Sequence, residues 1–286
     1  WVRLAENQPQ NQVQERLREY IIINQEVIMK KIMILGAGIY QVPLIKTAKK
    51  LGLYTIVVSI PGNYPGFELA DKVYYENTVD DEKILEIAKE EQIDCIITTG
   101  TDVCVITIGK VCDAMGLAGL SYEAAQIAVD KMLMKTKYEE YGVRTARFRK
   151  VLFSDPDIKK TIEGLEFPLI FKSVDSSGSR GITRVDSYDK FDSAMNYVKE
   201  NTRKDYFLIE EFVEGEEFGA QAFVYNGEVQ FILPHGDYVF HGDTGVPIGH
   251  FAPYNLNEDV IEDAKEQLRG AVKAMQLDNC AINAFC

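Results

Sequence analysis

The sequence predicts a chain of two parts, a small doubly wound α/β domain followed by a mixed α+β domain. From Lys31 to Met115, short apolar runs alternate with amphipathic helical runs, as in a parallel sheet covered on both faces. After Gly119 this alternation stops, and two helices are followed by strands, loops and isolated helices. With 286 residues and 46% hydrophobic content, the chain has enough material for two hydrophobic cores.

The first domain is placed at residues 29–118. Its predicted strands are residues 32–35, 54–59, 72–75 and 95–99, and its predicted helices are residues 43–51, 81–91 and 103–115. Residues 1–28 are polar and rich in Gln and Asn, and Met29 directly precedes the first strand. We therefore expect residues 1–28 to be an appended extension that does not belong to the native fold.

The second domain is placed at residues 119–286. Its predicted helices are residues 122–129, 131–141, 187–200 and 258–275, and its predicted strands are residues 145–151, 168–171, 182–185, 206–212, 218–225, 229–233 and 279–286. Ser121 is a predicted N-cap of the first helix. Lys131 begins the second helix, where the helix macrodipole favours acidic residues, and this unfavourable placement suggests a function. An exposed lysine at the start of a helix is, however, also common.

A lysine and a flexible loop follow one short apolar strand. Lys172 closes strand 168–171, and residues 173–181, here called the Ser/Gly loop, lead to strand 182–185. The loop residues suited to an anion are Ser176, Ser177, Gly178, Ser179, Arg180 and Gly181. A lysine before such a loop is well placed to meet a phosphate oxygen, although an ordinary hairpin connection gives the same pattern. The GxxxxGK[ST] motif is absent, which excludes a P-loop.

The segment 210–217 carries five acids in eight residues at the junction of two strands. Such a run is ordinarily a solvated turn. A junction of strands can also present backbone groups to an adenine edge, while a carboxylate accepts hydrogen bonds from ribose hydroxyls. Both interpretations remain open at this point.

The first βα turn, residues 36–41, begins like a dinucleotide-binding fingerprint. Gln41 stands where close helix packing requires glycine, and the second strand ends in Ser59 instead of a ribose-binding acid. An NAD-dependent reductase is therefore disfavoured. Residues 98–102 close the fourth strand at its carboxyl end, where Asp102 could line a substrate crevice or cap the next helix.

Composition excludes several classes of partner. The net charge of −13 argues against nucleic acid and anionic membrane surfaces, and no stretch has the apolar length of a membrane span. The five cysteines form no CxxC pair, which predicts a reducing cytoplasm. All three histidines lie between residues 235 and 250 without HxxxH or HExxH spacing, so a zinc site is disfavoured.

Four segments in this order, residues 130–131, 167–181, 210–217 and 241–244, resemble those of ATP-grasp proteins of the carboxylate–amine ligase superfamily. Single-chain relatives of the carbamoyl-phosphate synthase large subunit are the most similar group. The resemblance covers residues 29–286. It implies a pre-ATP-grasp α/β domain and an ATP-grasp domain whose two subdomains hold ATP between antiparallel sheets, with a flap subdomain at about residues 145–213.

The resemblance also implies roles for individual residues. Lys131 and Lys172 resemble the two phosphate-contacting lysines, and residues 176–181 resemble the loop that covers the β- and γ-phosphates. The segment resembling the adenine-reading hinge comprises Glu210, Glu211, Phe212 and Val213, and Glu217 resembles the ribose-binding acid. The candidate catalytic residues are Lys172, Arg180 and His241.

The implied activity is that of an ATP-dependent C–N ligase. A carboxylate would attack the γ-phosphate of ATP, and an amine would displace phosphate from the acyl phosphate, releasing ADP and phosphate. The partners implied are small-molecule carboxylates and amines, and a homodimer is expected because dimers are frequent in this superfamily. A non-catalytic ATP-binding module is the alternative.

The sequence departs from the family pattern at the Mg²⁺ site. The family's ligands are an acid in the strand after the last helix and a Glu-x-Asn pair on the next strand. Here Phe285 stands about where the first carboxylate is expected, and phenylalanine cannot coordinate a hard cation. We therefore expect the metal ligands beyond Cys286 and an ATP-grasp domain truncated at its C-terminus.

Overall fold

The computed structural model describes residues 29–176, 178, 180–241, 245–255 and 257–285, with side chains omitted at 239–247 and 285. The predicted extension at residues 1–28 lies outside this range. In the part of the chain so described, no helix is long and apolar enough to cross a membrane.

The first sheet is parallel and four-stranded, with the order β3-β2-β1-β4. Its strands are β1 (Lys31–Leu35), β2 (Tyr54–Ser59), β3 (Lys72–Tyr75) and β4 (Cys95–Ile97), and the helices around it are α1 (Val42–Lys50), α2 (Asp81–Glu91) and α3 (Val105–Met115). Successive residues of β1 enter different cores. Met33 packs with α2 and α3, whereas Ile34 packs with α1, so helices cover both faces. The predicted doubly wound sheet is confirmed.

The turn after β1 is filled by a side chain. Gln41 is 5% exposed, lies against Gly36 and Gly38, and donates a hydrogen bond from Nε2 to the carbonyl of Thr99. Gly36 has a φ of +97°, which a residue with a Cβ rarely adopts. Because the glutamine occupies the space above the glycines, this turn is poorly suited to a dinucleotide, in agreement with the sequence prediction.

Two short helices connect the first sheet to the rest, α4 (Tyr122–Val129) and α5 (Lys131–Tyr141). The Ser121 hydroxyl accepts a hydrogen bond from the amide of Ala124 at 3.0 Å and caps α4 as predicted. Helices α3 and α4 approach closely at Gly109, where an added Cβ would lie 2.7 Å from the carbonyl of Ser121. The division between residues 118 and 119 remains a proposal.

The second sheet is antiparallel, with the order β5-β8-β6-β7. Its strands are β5 (Phe148–Leu152), β6 (Leu169–Lys172), β7 (Ile182–Val185) and β8 (Tyr206–Glu211), and its helices are α6 (Ile158–Thr161) and α7 (Phe191–Glu200). Phe171 and Phe207 are fully buried in a core between one face of the sheet and α7. The other face turns towards α5, where Met132 packs against Phe148 and Leu208.

The third sheet is antiparallel, with the order β11-β10-β9-β12. Its strands are β9 (Gly219–Tyr225), β10 (Glu228–His241), β11 (Gly245–Phe251) and β12 (Cys280–Phe285), and α8 (Glu258–Ala274) packs on one face. The predicted C-terminal end of strand 229–233 is wrong, because β10 continues through Pro234 to His241. Pairing to β9 on one side and to β11 on the other holds this extension in place. Strand β11 was not predicted from the sequence.

Candidate functional site

Strand pairing brings Lys172 and Glu210 to one face of the second sheet. Ile170 pairs with Glu210 and Lys172 pairs with Leu208, so the two charged residues are diagonal neighbours on adjacent strands. This face lies opposite the aromatic core under α7 and faces α5. The second sheet thus has one apolar face, towards α7, and one face that carries charged side chains, towards α5.

Glu210 is a buried carboxylate shared by two lysines. It is 5% exposed, its Oε1 contacts Lys172 Nζ directly, and its Oε2 lies 2.9 Å from Lys135 Nζ. Burial by itself would raise the pKa of Glu210, but the charges of Lys172 and Lys135 outweigh it and hold that pKa below its usual value. Glu210 is therefore ionised and pairs with both lysines.

Sequence reasoning missed Lys135, which is 7% exposed on α5. Its Nζ also donates to Thr145 Oγ1 and lies 5.2 Å from the centre of the Phe148 ring. Burial lowers the pKa of Lys135, and the adjacent Glu210 carboxylate opposes that shift. The signal was available in the sequence, because a residue four positions after Lys131 lies on the same face of a helix.

Lys131 joins the start of α5 to the Ser/Gly loop. Its amide donates to the carbonyl of Val174 at 3.0 Å, and its Nζ donates to the carbonyl of Ser176 at 2.5 Å. Burial lowers the pKa of Lys131, and the charge of Lys172 lowers it further. We call Lys131, Lys135, Lys172 and Glu210 the lysine cluster; its own side chains carry three positive charges and one negative charge.

Asp130 positions Lys131 by capping α5. Its Oδ1 accepts hydrogen bonds from the amides of Met132 at 2.9 Å and Leu133 at 3.2 Å. Its Oδ2 accepts one from the Tyr206 hydroxyl at 2.6 Å, which ties the helix start to β8. The acid therefore satisfies helix amides that would otherwise lack partners.

The Ser/Gly loop is fastened at its ends. The Ser173 amide donates to the carbonyl of Gly181 at 2.8 Å, and the Ser176 hydroxyl donates to the carbonyl of Asn201 at 2.5 Å. Gly181 has a φ of +66°, and an added Cβ there would lie 2.6 Å from Ser173 Oγ. Glycine is thus required where the loop closes.

The structure describes some, but not all, of the other loop residues predicted to bind phosphate. Gly178 has a φ of +66° and open space around its Cα, and Arg180 is exposed at the end of the loop. Ser177 and Ser179 lie outside the described residues. The Ser176 hydroxyl already has a carbonyl partner within the protein, so this group anchors the loop in this conformation.

The predicted hinge leaves β8 towards β9. The Glu211 carboxylate binds Arg147 at 2.6 Å and accepts from the Glu166 amide at 2.7 Å, so its side chain anchors the strand. The Phe212 amide donates to the carbonyl of Pro168 at 2.9 Å, whereas Val213 is 68% exposed. Any contact of Glu211 with a ligand would therefore be made by its backbone, and Glu217 is exposed beyond it.

The histidine-rich segment lies on the third sheet. His235 is 3% exposed on β10. His241 ends the same strand, but its side chain is outside the described residues. The geometry described therefore brings together Lys131, Lys172, Ser176 and Glu210, and it does not address the predicted catalytic role of His241.

Comparison with known proteins identifies the domain. Residues 165–284 match the family model of the ATP-grasp domain. The alanine–anticapsin ligase of Bacillus subtilis is 25% identical over 242 residues, covering 75% of this chain and 51% of that protein. The formate-dependent phosphoribosylglycinamide formyltransferase of Wolinella succinogenes is 27% identical over 252 residues, covering 86% of this chain and 63% of that protein. The chain thus spans about half to two thirds of the length of these curated relatives.

Solved structures agree with this. The phosphoribosylglycinamide synthetase from Anaerococcus prevotii superposes with a TM-score of 0.75 at 36% identity, covering 90% of this chain and 64% of that one. The predicted likeness to the carbamoyl-phosphate synthase large subunit is a more distant link than these. The predicted fold, a parallel α/β sheet followed by two antiparallel sheets, is confirmed. Residues 165–284 of the chain therefore carry an ATP-grasp domain.

Proposed function

We propose that the lysine cluster and the Ser/Gly loop bind the phosphates of ATP. The observation that carries this proposal is the pairing of Lys135 and Lys172 with one buried carboxylate, next to a glycine-bearing loop whose Ser176 carbonyl accepts a hydrogen bond from Lys131. Lys131 is half-buried near Lys172, and its Nζ donates a hydrogen bond to the neutral carbonyl of Ser176. A phosphate placed among these groups would offset their positive charge. The attraction would be strong because the dielectric constant is low in a half-buried region.

The other predicted nucleotide contacts extend the same proposal. The backbone of residues 210–213 would read the adenine, with the Val213 end of the hinge exposed for this purpose. Glu217 would accept hydrogen bonds from the ribose. Arg180 and the loop residues from Ser176 to Gly181 would close over the β- and γ-phosphates and exclude water, which would otherwise hydrolyse an acyl phosphate.

We further propose that the whole protein is an ATP-dependent carboxylate–amine ligase. ATP supplies the phosphoryl group that activates the carboxylate. Lys172 would hold the transferring phosphate, while Lys131 would neutralise charge on the neighbouring phosphates. The substrates would be a small carboxylate and a small amine, acting in the cytoplasm, and a homodimer is the proposed assembly. Supporting relatives include the alanine–anticapsin ligase.

The described residues of β12 do not fit a Mg²⁺ ion. Asn283 supplies the strand's only side-chain oxygen between residues 280 and 285, and that oxygen accepts a hydrogen bond from Gln221 Nε2 at 2.8 Å. An amide is a weaker ligand for Mg²⁺ than the carboxylate expected there. We propose that Mg²⁺ binds together with ATP. The roles proposed above for the lysine cluster and the Ser/Gly loop do not depend on this ion.

A non-catalytic ATP-binding module is the second candidate, and the lack of a carboxylate between residues 280 and 285 favours it. The two functions differ in whether ATP is consumed. The test is to incubate the protein with Mg-ATP, hydroxylamine and a panel of amino acids and other carboxylates. A ligase yields ADP, phosphate and a hydroxamate with one class of carboxylate, because hydroxylamine intercepts acyl phosphates. ATP binding without any hydroxamate or carboxylate-dependent ADP would support the module instead.

Replacing Lys131 by Met is expected to remove nucleotide binding without destabilising the free protein. The depressed pKa of Lys131 means that its charged form is disfavoured in the fold. This penalty is fully present at neutral pH, below the folded pKa, and fades as pH rises towards 10.5. At pH 7 the variant should therefore be as stable as the wild type, within about 0.5 kcal/mol, or slightly more stable.

The matched control for Lys131→Met is Lys137→Met on the same helix. Lys137 pairs with Glu140 at 2.7 Å on an outer face of α5. Urea unfolding gives the stability of each variant, and calorimetric titration gives its ATP affinity. Retained ATP affinity in Lys131→Met would contradict the role proposed for this lysine.

A further inference from the structure

A second group of polar side chains meets on the third sheet, on the face turned away from α8. His235 and Asp237 are two residues apart on β10, and His250 on β11 lies directly opposite Asp237 in the strand register. Asp237 Oδ1 is 2.9 Å from His235 Nδ1 and 2.6 Å from His250 Nδ1. Among the described residues these three side chains form a group whose ligand atoms all lie within 4.8 Å of one another.

Asn283 lies beside the second ring nitrogen of His235. His235 Nε2 lies 3.3 Å from Asn283 Oδ1, which also accepts from Gln221 Nε2. An oxygen facing the ring there suits the tautomer that carries its hydrogen on Nε2. In the neutral ring Nδ1 then presents a lone pair to the carboxylate oxygen of Asp237. A metal ion between Nδ1 and that carboxylate oxygen would be bound by both atoms.

The geometry points to a divalent transition-metal site with Zn²⁺ as the natural occupant, bound by His235 Nδ1, Asp237 Oδ1 and His250 Nδ1. Two imidazoles and one carboxylate are a ligand set for zinc, iron(II) and their neighbours, and leave further positions for water or substrate. Metal bonds of about 2.0–2.2 Å place neighbouring ligand atoms roughly 3 Å apart. The two nitrogen-to-oxygen distances already approach that spacing.

The supporting residues resemble the outer shell of a metal site. A histidine ligand usually donates its other N–H to an oxygen acceptor, which fixes the ring, and Asn283 stands in that position for His235. The ring of His235 lies directly over Gly219, where an added Cβ would be 2.1 Å from Cε1. The side chain of His235 is 4% exposed, whereas that of His250 is 54% exposed and provides the route of entry.

The ligand set of this site differs from that of the proposed magnesium companion of ATP. Mg²⁺ takes oxygen ligands in octahedral geometry, and two imidazole nitrogens suit it poorly. The inference needs no nucleotide and survives failure of the ATP proposal. Its test is accordingly made on the protein without ATP.

The experiment is a titration of EDTA-treated protein with Co²⁺, followed by displacement with Zn²⁺. We expect one equivalent of Co²⁺ to bind with visible bands typical of nitrogen and oxygen ligands and without a thiolate charge-transfer band. Burial raises the pKa of the Cys112 thiol to about 12, which makes that cysteine a poor competitor. His250→Ala and Asp237→Asn should each lower the affinity roughly tenfold or more.

The matched control is His241→Ala, which removes the remaining histidine of the chain and should bind like the wild type. Thermal unfolding keeps the test informative if Asp237→Asn is unstable, since Zn²⁺ should raise the Tm of the wild type and not that of His250→Ala. The absence of one-to-one binding, a thiolate band, or equal loss in His241→Ala would overturn the site.

Discussion

Replacing Glu210 by Gln is expected to lower the free energy of unfolding by about 3–5 kcal/mol, the cost of removing one partner from a buried ion pair. The variant keeps the shape of the side chain but leaves Lys135 and Lys172 without their shared negative charge. Lys135 is 7% exposed and cannot turn to water without disturbing α5. Urea unfolding at pH 7 measures the loss, and Glu200→Gln on the exposed end of α7 is the control.

The same variant has a predictable pH dependence. The pKa of Glu210 is held below its usual value of 4.5, so its stabilising contribution is present above that pH and is lost as pH falls through the folded pKa. The difference in stability between wild type and Glu210→Gln should therefore be constant near neutrality and shrink in acid below about pH 4.5. Equal stability of the two proteins at pH 7 would contradict the buried ion pair.

Replacing Lys172 by Met is expected to weaken ATP binding by roughly 10- to 100-fold, which corresponds to one lost charge-assisted hydrogen bond of about 1.5–3 kcal/mol. Lys172 ends β6 at the start of the Ser/Gly loop, so its Nζ can turn from Glu210 towards a phosphate, and its side chain is 26% exposed. Turnover should fall with binding if the lysine holds the transferring phosphate.

The control for Lys172→Met is Lys199→Met. Lys199 lies on α7, across the second sheet from the lysine cluster, and its Nζ is 5.9 Å from the centre of the Phe153 ring. Calorimetric titration of both variants separates a local effect from a general loss of positive charge. Undiminished ATP affinity in Lys172→Met would remove this residue from the site.

The sequence predicted well those elements whose ends carry local chemical signals. Helix α2 matches its predicted bounds because Asp80 caps one end and Gln92 adopts a left-handed conformation at the other. Helix α5 does so because Asp130 and Gly142 bound it. Strand β11 was missed because Gly245, Pro247 and Gly249 are poor strand formers, and pairing with β10 overrides their preference.

Neither the lysine cluster nor the group formed by His235, Asp237 and His250 could be predicted without knowing which strands pair. Lys172 was predicted from its place before the Ser/Gly loop, but its ion pair with Glu210 depends on the β6–β8 register. The spacing argument against a histidine metal site considered only helical patterns such as HExxH. It overlooked that His235 and Asp237 share a strand face and that β11 brings His250 opposite Asp237. Such a site follows from register, which sequence spacing alone does not specify.

Thermal unfolding of the protein with Mg-ATP, Mg-GTP, NAD and no ligand tests the central claim most directly. A nucleotide at one hundred times its dissociation constant should stabilise the fold by about 2.7 kcal/mol, which for a chain of this size raises the Tm by several degrees. The account predicts this shift with Mg-ATP, its loss in Lys131→Met, a smaller shift in Lys172→Met at the same ATP concentration, and no shift with NAD. A shift with NAD alone, or an ATP shift that survives both lysine substitutions, would contradict it.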